Sequence, residues 1–316
     1  MSLLARNLCA VRVLVVSNPR ATATTARERD VLTHALGSAA DLEVAETANR
    51  GHAAALACRA MRNGTDVVVA FGGDGTVNEV VNGLLTDGVH DKVPALGVVP
   101  AGSTNVFARA IGLPNDPVEA TGVLLEGLRT GTRRSVSLGQ VDDRWFVFAA
   151  GIGFDGAIVE GVEKHRRRGK KSTHMLYSRV GIREFFRTDR RHPMVTVELP
   201  DGTQLTDVYF AIVTNADPWT FVGNFPIRPT PEVTFESGLA LYARRRMSTA
   251  GMLFSMARML GDKPKVGKRG AHVHYDLEGV TILADEPMPV EVDGDFVELK
   301  HKLVYRSTID AISVVV

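Results

Sequence analysis

Residues 66–76 read DVVVAFGGDGT, a run of apolar and β-branched residues that ends in glycines on both sides of Asp74. An apolar run of this length bounded by glycine predicts a buried strand, and the following VNEVVNGLL at 77–85 predicts a helix. The glycines allow the backbone to adopt a positive φ and to approach a ligand closely. Amides exposed at the start of the helix would then hold phosphate oxygens. The alternative interpretation is an ordinary strand-to-helix turn.

A second loop of the same kind strengthens the phosphate interpretation. VPAGSTN at 99–105 follows a strand-like run and precedes a short helix. Its Ser103 and Thr104 supply hydroxyls, and Arg109 adds a cation that could pair with phosphate. In a doubly wound sheet, loops at the carboxyl ends of neighbouring strands converge on one crevice. The sequence therefore predicts one phosphate site built from both loops.

The secondary-structure pattern changes near residue 131 and predicts two domains. Before this point strand-like runs alternate with helical stretches, which is typical of a parallel sheet covered on both faces. After it, strand-like runs follow one another between Gly, Pro, Asp and Asn, as in an antiparallel sandwich. Helical stretches interrupt that series at about 157–190 and 248–260. We expect an α/β domain at 1–134 and a β-sandwich at 135–302, with the tail at 303–316 free to return to the first domain.

Composition indicates an ordinary soluble globular protein. The 316 residues are 45% hydrophobic and 23% charged, with a formal net charge of +1. A charge this close to zero argues against global electrostatic capture of nucleic acid. Two cysteines exclude a disulfide scaffold. The first residues do not resemble a signal peptide, and no apolar run approaches the ~20 residues needed to cross a bilayer.

The near-neutral total conceals a local excess of positive charge. Residues 160–192 contain eleven Lys or Arg and four Asp or Glu, beside an apolar group that includes Met175, Leu176 and Phe185. A basic helix with an apolar stripe suits an anionic membrane surface. The alternative is that the stripe packs on the sandwich and the charges face solvent.

The two loops together resemble the diacylglycerol kinase catalytic family. The resemblance rests on GGDGTVNEVVNGL at 72–84 and PAGSTNVFARAIGLP at 100–114. The family includes bacterial lipid kinases and sphingosine kinases and is distantly similar to NAD kinases through GGDG. Asn18-Pro19 resembles its first-strand turn, and Asp293-Gly294-Asp295 resembles its late Asp-Gly-Glu. The implied fold is an N-terminal α/β domain with a parallel sheet, like that of NAD kinase and diacylglycerol kinase, followed by a C-terminal antiparallel β-sandwich.

The implied activity is transfer of the γ-phosphoryl group of ATP to a lipid hydroxyl, most simply diacylglycerol to phosphatidic acid. Asp74 would organise Mg²⁺ or the nucleophile, Arg109 would act in catalysis, and Asp295 or Asp293 would accept the hydroxyl proton. Thr76 could equally be an ordinary N-cap. The residues implied in holding ATP are Asn18, Thr47, Gly72, Gly73, Gly75, Thr76, Gly102, Ser103, Thr104 and Asp293.

Several alternatives stay open within this resemblance. The acceptor could be a sphingoid base or another lipid alcohol, the protein could be an NAD kinase, or it could be a catalytically weakened lipid-binding regulator. The expected partner is a lipid substrate at an anionic membrane surface and not nucleic acid, in a cytoplasmic, peripherally membrane-associated protein. A homodimer is also left open.

The chain departs from the family pattern at four positions. Val106, Ser137 and Ser237 stand where bacterial members commonly carry Asp, and Asp295 stands where they carry Glu. The missing carboxylate at Ser237 argues against the structural Mg²⁺ associated with that turn. The three missing carboxylates are the reason for the weakened-regulator alternative.

Overall fold

The computed structural model describes residues 11–21, 24–166, 192–260, 264–266 and 270–316. The chain divides into two compact units. Unit 1 consists of Met1–Ala108, Leu113–Arg134 and Ile312–Val316, and unit 2 consists of Arg109–Gly112 and Ser135–Ala311.

Unit 1 is built on a parallel sheet. Its strands are β1 (Arg12–Ser17), β2 (Asp41–Glu46), β3 (Val67–Gly72) and β4 (Ala95–Pro100). They lie in the order β2-β1-β3-β4. Every residue of β3 and β4 is buried. This burial explains their continuous apolar sequences, because helices cover both faces of such a sheet.

The helices of this part of the chain begin and end at recognisable capping residues. They are α1 (Ala26–Gly37), α2 (His52–Arg62), α3 (Asp74–Leu84), α4 (Val106–Ala110) and α5 (Pro117–Thr130). Thr25 and Glu28 form a capping box at the start of α1. Asp116 caps α5, which ends at Gly131 in the left-handed conformation. The main apolar core of unit 1 joins β1, β3 and β4 to residues of α1 and α5.

Unit 2 is mainly antiparallel. Its strands are β5 (Arg133–Val141), β6 (Arg144–Phe146), β7 (Ala149–Ile152), β8 (Val195–Glu198), β9 (Gln204–Val208), β10 (Phe210–Thr214), β11 (Thr220–Val222), β12 (Phe225–Ile227), β13 (Leu239–Arg244), β14 (Ala271–Leu277), β15 (Gly279–Val292) and β16 (Asp295–Val315). The main path runs β14-β13-β10-β7-β15-β16. The end of β16 belongs to unit 1, where Val314 pairs in parallel with Leu96 of β4.

Strand β15 takes part in two ladders. Its first half pairs with β8 and its last residues pair with β7, and its register against β16 shifts between Leu283 and Met288. Strands that change partner at such an irregularity form the corners of β-sandwiches. One apolar core contains residues from the strands on both ladders of β15. Ile152 and Leu241 lie in the strands joined to its last residues, and Val197 lies in β8, which pairs with its first half. The predicted combination of a parallel α/β part and an antiparallel β part is confirmed.

One predicted strand is interrupted. WFVFAAGIGF at 145–154 has the apolar composition of one continuous strand, but β6 ends at Phe146 and β7 begins at Ala149. The amides of Val147 and Phe148 donate to the carboxylate of Asp293. Because these two amides donate to a side chain and not to a neighbouring strand, residues 147–148 are not part of either strand.

The two helical stretches predicted in the second half are α6 (Phe154–Arg166) and α7 (Thr249–Met259). Residues 167–191, which carry most of the basic stretch, lie outside the described residues. Membrane binding by the basic stretch at 160–192 therefore stays a prediction, and its packing on the sandwich stays the alternative. Within the described ranges, no helix is both long enough and apolar enough to span a bilayer.

Candidate functional site

The strand order of unit 1 places the predicted nucleotide residues at one edge of the sheet. The chain runs from β1 to β2 on one side and returns to β3 on the other, so the topological switch point lies between β1 and β3. Asn18 follows β1 and donates its amide to the carbonyl oxygen of Phe71 at 3.0 Å. Its Nδ2 lies 3.5 Å from Oγ1 of Thr76. Open α/β sheets bind ligands at this point, beyond the carboxyl ends of the strands.

The two glycine loops pack directly on each other. The amide of Ala101 donates to the carbonyl oxygen of Gly72 at 2.8 Å. A β-carbon added to Gly102 would lie 2.5 Å from Cα of Gly73, closer than atoms can approach. The predicted convergence of the loops is therefore present within unit 1.

The glycines of the two loops do not use the positive φ that glycine allows. None of Gly72, Gly73, Gly75 and Gly102 has a positive φ. At Gly72 a β-carbon would lie 2.4 Å from Oγ1 of Thr76. Close approach between loop, helix and neighbouring loop therefore requires the absence of a side chain.

Asn105 holds the second loop in shape, and the sequence analysis missed it. Its Oδ1 accepts the amide of Gly102 at 2.9 Å, and its Nδ2 donates to Oδ1 of Asn115 at 2.8 Å. Its φ is 52°, a left-handed conformation that Asn adopts more readily than most residues. An Asn directly before a helix was the available signal. Beside it, Ser103 is exposed and Thr104 is half-buried.

Asp74 joins the first loop to the start of α4. Its Oδ1 accepts the amide of Phe107 at 3.1 Å. Burial of the carboxyl group raises its pKa, and this effect exceeds the opposing influence of the backbone amides of Val106, Phe107 and Asn105. The residue as a whole keeps some exposed surface. A cation bound nearby would favour its ionised form.

The first turn of α3 is suited to an anion. Its N-cap is Gly73, so the suggestion that Thr76 is the N-cap is wrong. Gly73 has no side chain with which to cap the helix, and the carboxyl group of Asp74 accepts its own backbone amide. The amide of Gly75 therefore lacks the oxygen that a capping side chain at the N-cap supplies. Thr76 is buried and donates its amide to the carbonyl oxygen of Gly73 at 2.9 Å.

Glu79 organises the neighbouring loop and was also missed. Its Oε1 accepts the amide of Gly51 at 2.8 Å, and its Oε2 accepts the amide of Ala53 at 3.1 Å. A carboxylate at the start of α2 satisfies amides that have no partner inside the helix. Thr47 precedes this loop and is half-buried. Its amide donates to the carbonyl oxygen of Ser17 at 2.9 Å. The acidic residue just after GGDGT was the signal in the sequence.

The two candidate bases of unit 2 have different environments. Asp293 is buried, and its carboxylate accepts the amides of Val147 at 2.8 Å, Phe148 at 3.0 Å and Ala149 at 3.2 Å. Asp295 lies two residues later at the start of β16 and is half-buried. The carboxylate of Asp293 therefore holds the connection between β6 and β7.

Arg109 contacts the β11–β12 hairpin of unit 2. Its guanidinium carbon lies 3.2 Å from the centroid of the Phe221 ring, and its Nη1 donates to the carbonyl oxygen of Gly223 at 3.5 Å. Stacking on an aromatic face is a common arrangement for Arg. The structure thus assigns Arg109 a contact that the sequence did not suggest.

The departures from the family pattern occupy structural positions. Ser237 closes a turn in which its Oγ accepts the amide of Thr234 at 3.1 Å. Ser137 is fully buried and donates its amide to the carbonyl oxygen of Phe235 at 2.8 Å. Val106 is buried in α4. Among the residues that the structure describes, no group of three or more His, Cys, Asp or Glu side chains could hold a metal ion.

Comparison with known proteins finds similarity over the part of the chain that contains both glycine loops. Residues 12–141 match the family model of the diacylglycerol kinase catalytic domain. The chain is 44% identical over 89 residues to a diacylglycerol kinase of Bacillus subtilis, which covers 28% of this chain and 27% of that protein. It is 44% identical over 102 residues to a diacylglycerol kinase of Staphylococcus aureus strain JH9, covering 32% and 30% of the two chains. These alignments span less than a third of the curated relatives.

The fold similarity extends further. A diacylglycerol kinase from Bacillus anthracis superposes with a TM-score of 0.72 at 19% identity, over 97% of both chains. A putative diacylglycerol kinase from the same organism gives a TM-score of 0.75 at 20% identity, also over 97% of both chains. The sequence match over residues 12–141 and the shared fold confirm the resemblance of this chain to the diacylglycerol kinase catalytic family.

Proposed function

We propose that this protein is an ATP- and Mg²⁺-dependent lipid kinase that transfers the γ-phosphoryl group to a lipid hydroxyl, most simply that of diacylglycerol. The observation that carries the proposal is the packing of the Gly73 loop on the Gly102 loop at the carboxyl ends of β3 and β4, next to the switch point of the unit 1 sheet. The family match covers both loops. We place the acceptor lipid at a membrane surface.

The residues of unit 1 fit the phosphates of a nucleotide. The first turn of α3 begins after Gly73, an N-cap without a side chain, and the glycines let the two loops pack closely beside it. Ser103 adds an exposed hydroxyl. Phosphoryl transfer depends mainly on positioning and on neutralising charge, so a rigid cradle of this kind supplies much of what the reaction needs.

Asp74 is the residue that we assign to Mg²⁺. A magnesium ion bound with a nucleotide keeps waters and phosphate oxygens as most of its ligands and needs only one or two carboxylates. When bound, it would neutralise charge on the phosphates during transfer. The carboxyl group of Asp74 has a pKa raised by burial, and a cation there would favour its ionised form. The donor set at the loop therefore fits this metal.

We propose Asp295, and not Asp293, as the acceptor of the hydroxyl proton. A general base must leave an oxygen accessible to the substrate. The carboxylate of Asp293 already accepts three backbone amides, and protonation would weaken those bonds. Asp295 is half-buried, so its side chain keeps access to the surface of unit 2.

Transfer of radiolabelled phosphate from ATP to lipids in mixed micelles tests the proposal. We expect labelling of diacylglycerol, with sphingoid bases, other lipid alcohols and NAD as competing acceptors. Labelling of NAD alone would identify an NAD kinase. Intact ATP binding without labelling of any acceptor would contradict the kinase assignment and favour a regulatory protein.

Three variants test the residue roles. Asp74→Asn keeps an oxygen for the Phe107 amide but loses the charge, so we expect loss of transfer in a folded protein. Asp295→Asn should reduce turnover by roughly 10²–10⁴-fold, the usual contribution of a general base. Asp143→Asn, at an exposed turn of unit 2, is the matched control and should leave turnover unchanged. Normal turnover in Asp295→Asn would refute its role as base.

A further inference from the structure

Helix α7 in unit 2 exposes large apolar side chains. Leu253 is 65% exposed and Phe254 is 62% exposed, and Met256 and Leu260 are exposed as well. Leu253 and Met256 are three residues apart, so they lie on one face of the helix, and Leu260 follows directly after the helix with an extended backbone. Apolar groups of this size on neighbouring positions of a surface helix usually mark an interaction site.

The β11–β12 hairpin continues this apolar surface. Val222 and Phe225 are paired directly across the hairpin, so their side chains share one face, and Phe225 is 69% exposed. The hairpin is attached to the end of α7, because the amide of Arg228 donates to the carbonyl oxygen of Met259 at 3.0 Å. We call the exposed apolar residues of these two elements, together with Leu260 directly after α7, the docking face; they are Val222, Phe225, Leu253, Phe254, Met256 and Leu260.

The sequence that contains α7 is rich in Lys and Arg, although one of them, Arg245, is paired with Asp207 at 2.5 Å. Residues 245–269 contain seven Lys or Arg and a single acidic residue, Asp262. Among the described residues, Arg246 and Lys265 are exposed, and the guanidinium of Arg258 lies 5.3 Å from the centroid of the Phe254 ring. Helix α7 itself contains no Asp or Glu. Exposed apolar side chains flanked by cations are complementary to a membrane with anionic headgroups, and each nearby Lys or Arg adds to the attraction.

We infer that the docking face inserts into the surface of an anionic lipid membrane and that the cations near α7 contact its headgroups. This deepens the proposed function, because a lipid acceptor lies in such a surface. It is separate from the basic stretch at 160–192, and every residue of the docking face lies in the described part of the chain. Membrane binding is measured without phosphoryl transfer, so either proposal can fail while the other holds.

Sedimentation of the full chain with lipid vesicles tests the inference. The vesicles contain phosphatidylcholine alone or phosphatidylcholine with phosphatidylserine. We expect binding to the phosphatidylserine vesicles, and we expect the double substitution Leu253→Asp with Phe254→Asp to weaken it at least about tenfold, because it removes two inserted apolar groups and adds two negative charges. Phe225→Asp should also weaken binding to the phosphatidylserine vesicles.

The control is Val118→Asp, which places the same charge at an equally exposed apolar position of α5 in unit 1. It should bind vesicles like the unsubstituted protein. Arg246→Glu with Lys265→Glu should weaken binding to phosphatidylserine vesicles and reduce its salt dependence. All variants should phosphorylate short-chain lipid in detergent micelles normally if the proposed function holds.

Three results would overturn the inference. The first is undiminished vesicle binding by the α7 and Phe225 variants. The second is equal binding to vesicles without phosphatidylserine, since the charge around α7 would then have no role. The third is a dimer that the α7 substitutions convert to a monomer, in a protein that binds no vesicles, because a second copy of the chain would then cover the docking face.

Discussion

Replacement of Asp293 by Ala should destabilise unit 2. The carboxylate of Asp293 accepts the amides of Val147, Phe148 and Ala149 at 2.8 to 3.2 Å, and the residue is 4% exposed. A hydrogen bond to a charged group contributes about 1.5–3 kcal/mol, and a buried donor left without a partner costs a similar amount. Because such losses are not additive, we expect Asp293→Ala to lower the free energy of unfolding by about 3–5 kcal/mol.

The graded variant Asp293→Asn sharpens this test. An Asn oxygen can still accept the amides of Phe148 and Ala149, which share Oδ1 in the structure. Its NH₂ group would face the amide of Val147, which is itself a donor. We therefore expect Asp293→Asn to lower the free energy of unfolding by about 1–3 kcal/mol, which is less than the loss expected for Asp293→Ala.

Urea unfolding followed by tryptophan fluorescence measures the effect. Both tryptophans of the chain, Trp145 and Trp219, lie in unit 2, so the signal reports on that unit. The comparison variant is Asp295→Asn, for which we expect a change below about 1 kcal/mol, the contribution of a single ordinary hydrogen bond. If Asp293→Ala unfolds at the same urea concentration as the unsubstituted protein, the carboxylate does not hold the β6–β7 connection and the case for Asp295 as base is lost.

Two further predictions concern the nucleotide loops and the pH dependence of stability. Gly102→Ala should weaken binding of ADP, measured by calorimetry, by at least about tenfold, because its β-carbon would lie 2.5 Å from Cα of Gly73; Gly122→Ala, which meets no atom within 4 Å, is the control. Burial raises the pKa of Asp217 to about 6 despite the nearby Arg228. Native Asp217 thus keeps its proton to higher pH than the unfolded chain, and the free energy of unfolding should fall by about 1–2 kcal/mol, allowing for solvent screening, between about pH 4 and pH 6. Urea titrations across this range should show the fall, and Asp217→Asn should remove it.

The sequence predicted most where structure is local. The strand at 67–72, the loop after it and the helix beginning at Asp74 follow from a buried apolar run, three glycines and a helical pattern within twenty residues. The interruption between β6 and β7 could not be predicted in this way. Its strand-like sequence is overridden by Asp293, which lies about 145 residues away along the chain.

The sequence by itself determined the fold class and the two glycine loops, because hydrophobic periodicity and glycine spacing act over short distances. The other candidate residues came from its resemblance to the diacylglycerol kinase catalytic family. Only the tertiary structure separated Asp293 from Asp295. These residues are identical in type and two positions apart, yet Asp293 has a φ of 50° and its carboxylate meets three amides of a distant segment. Likewise, only packing showed that Gly102 is needed to let Gly73 approach. Such roles depend on which distant backbone atoms the fold brings within hydrogen-bond or van der Waals distance, and residue type alone does not specify that.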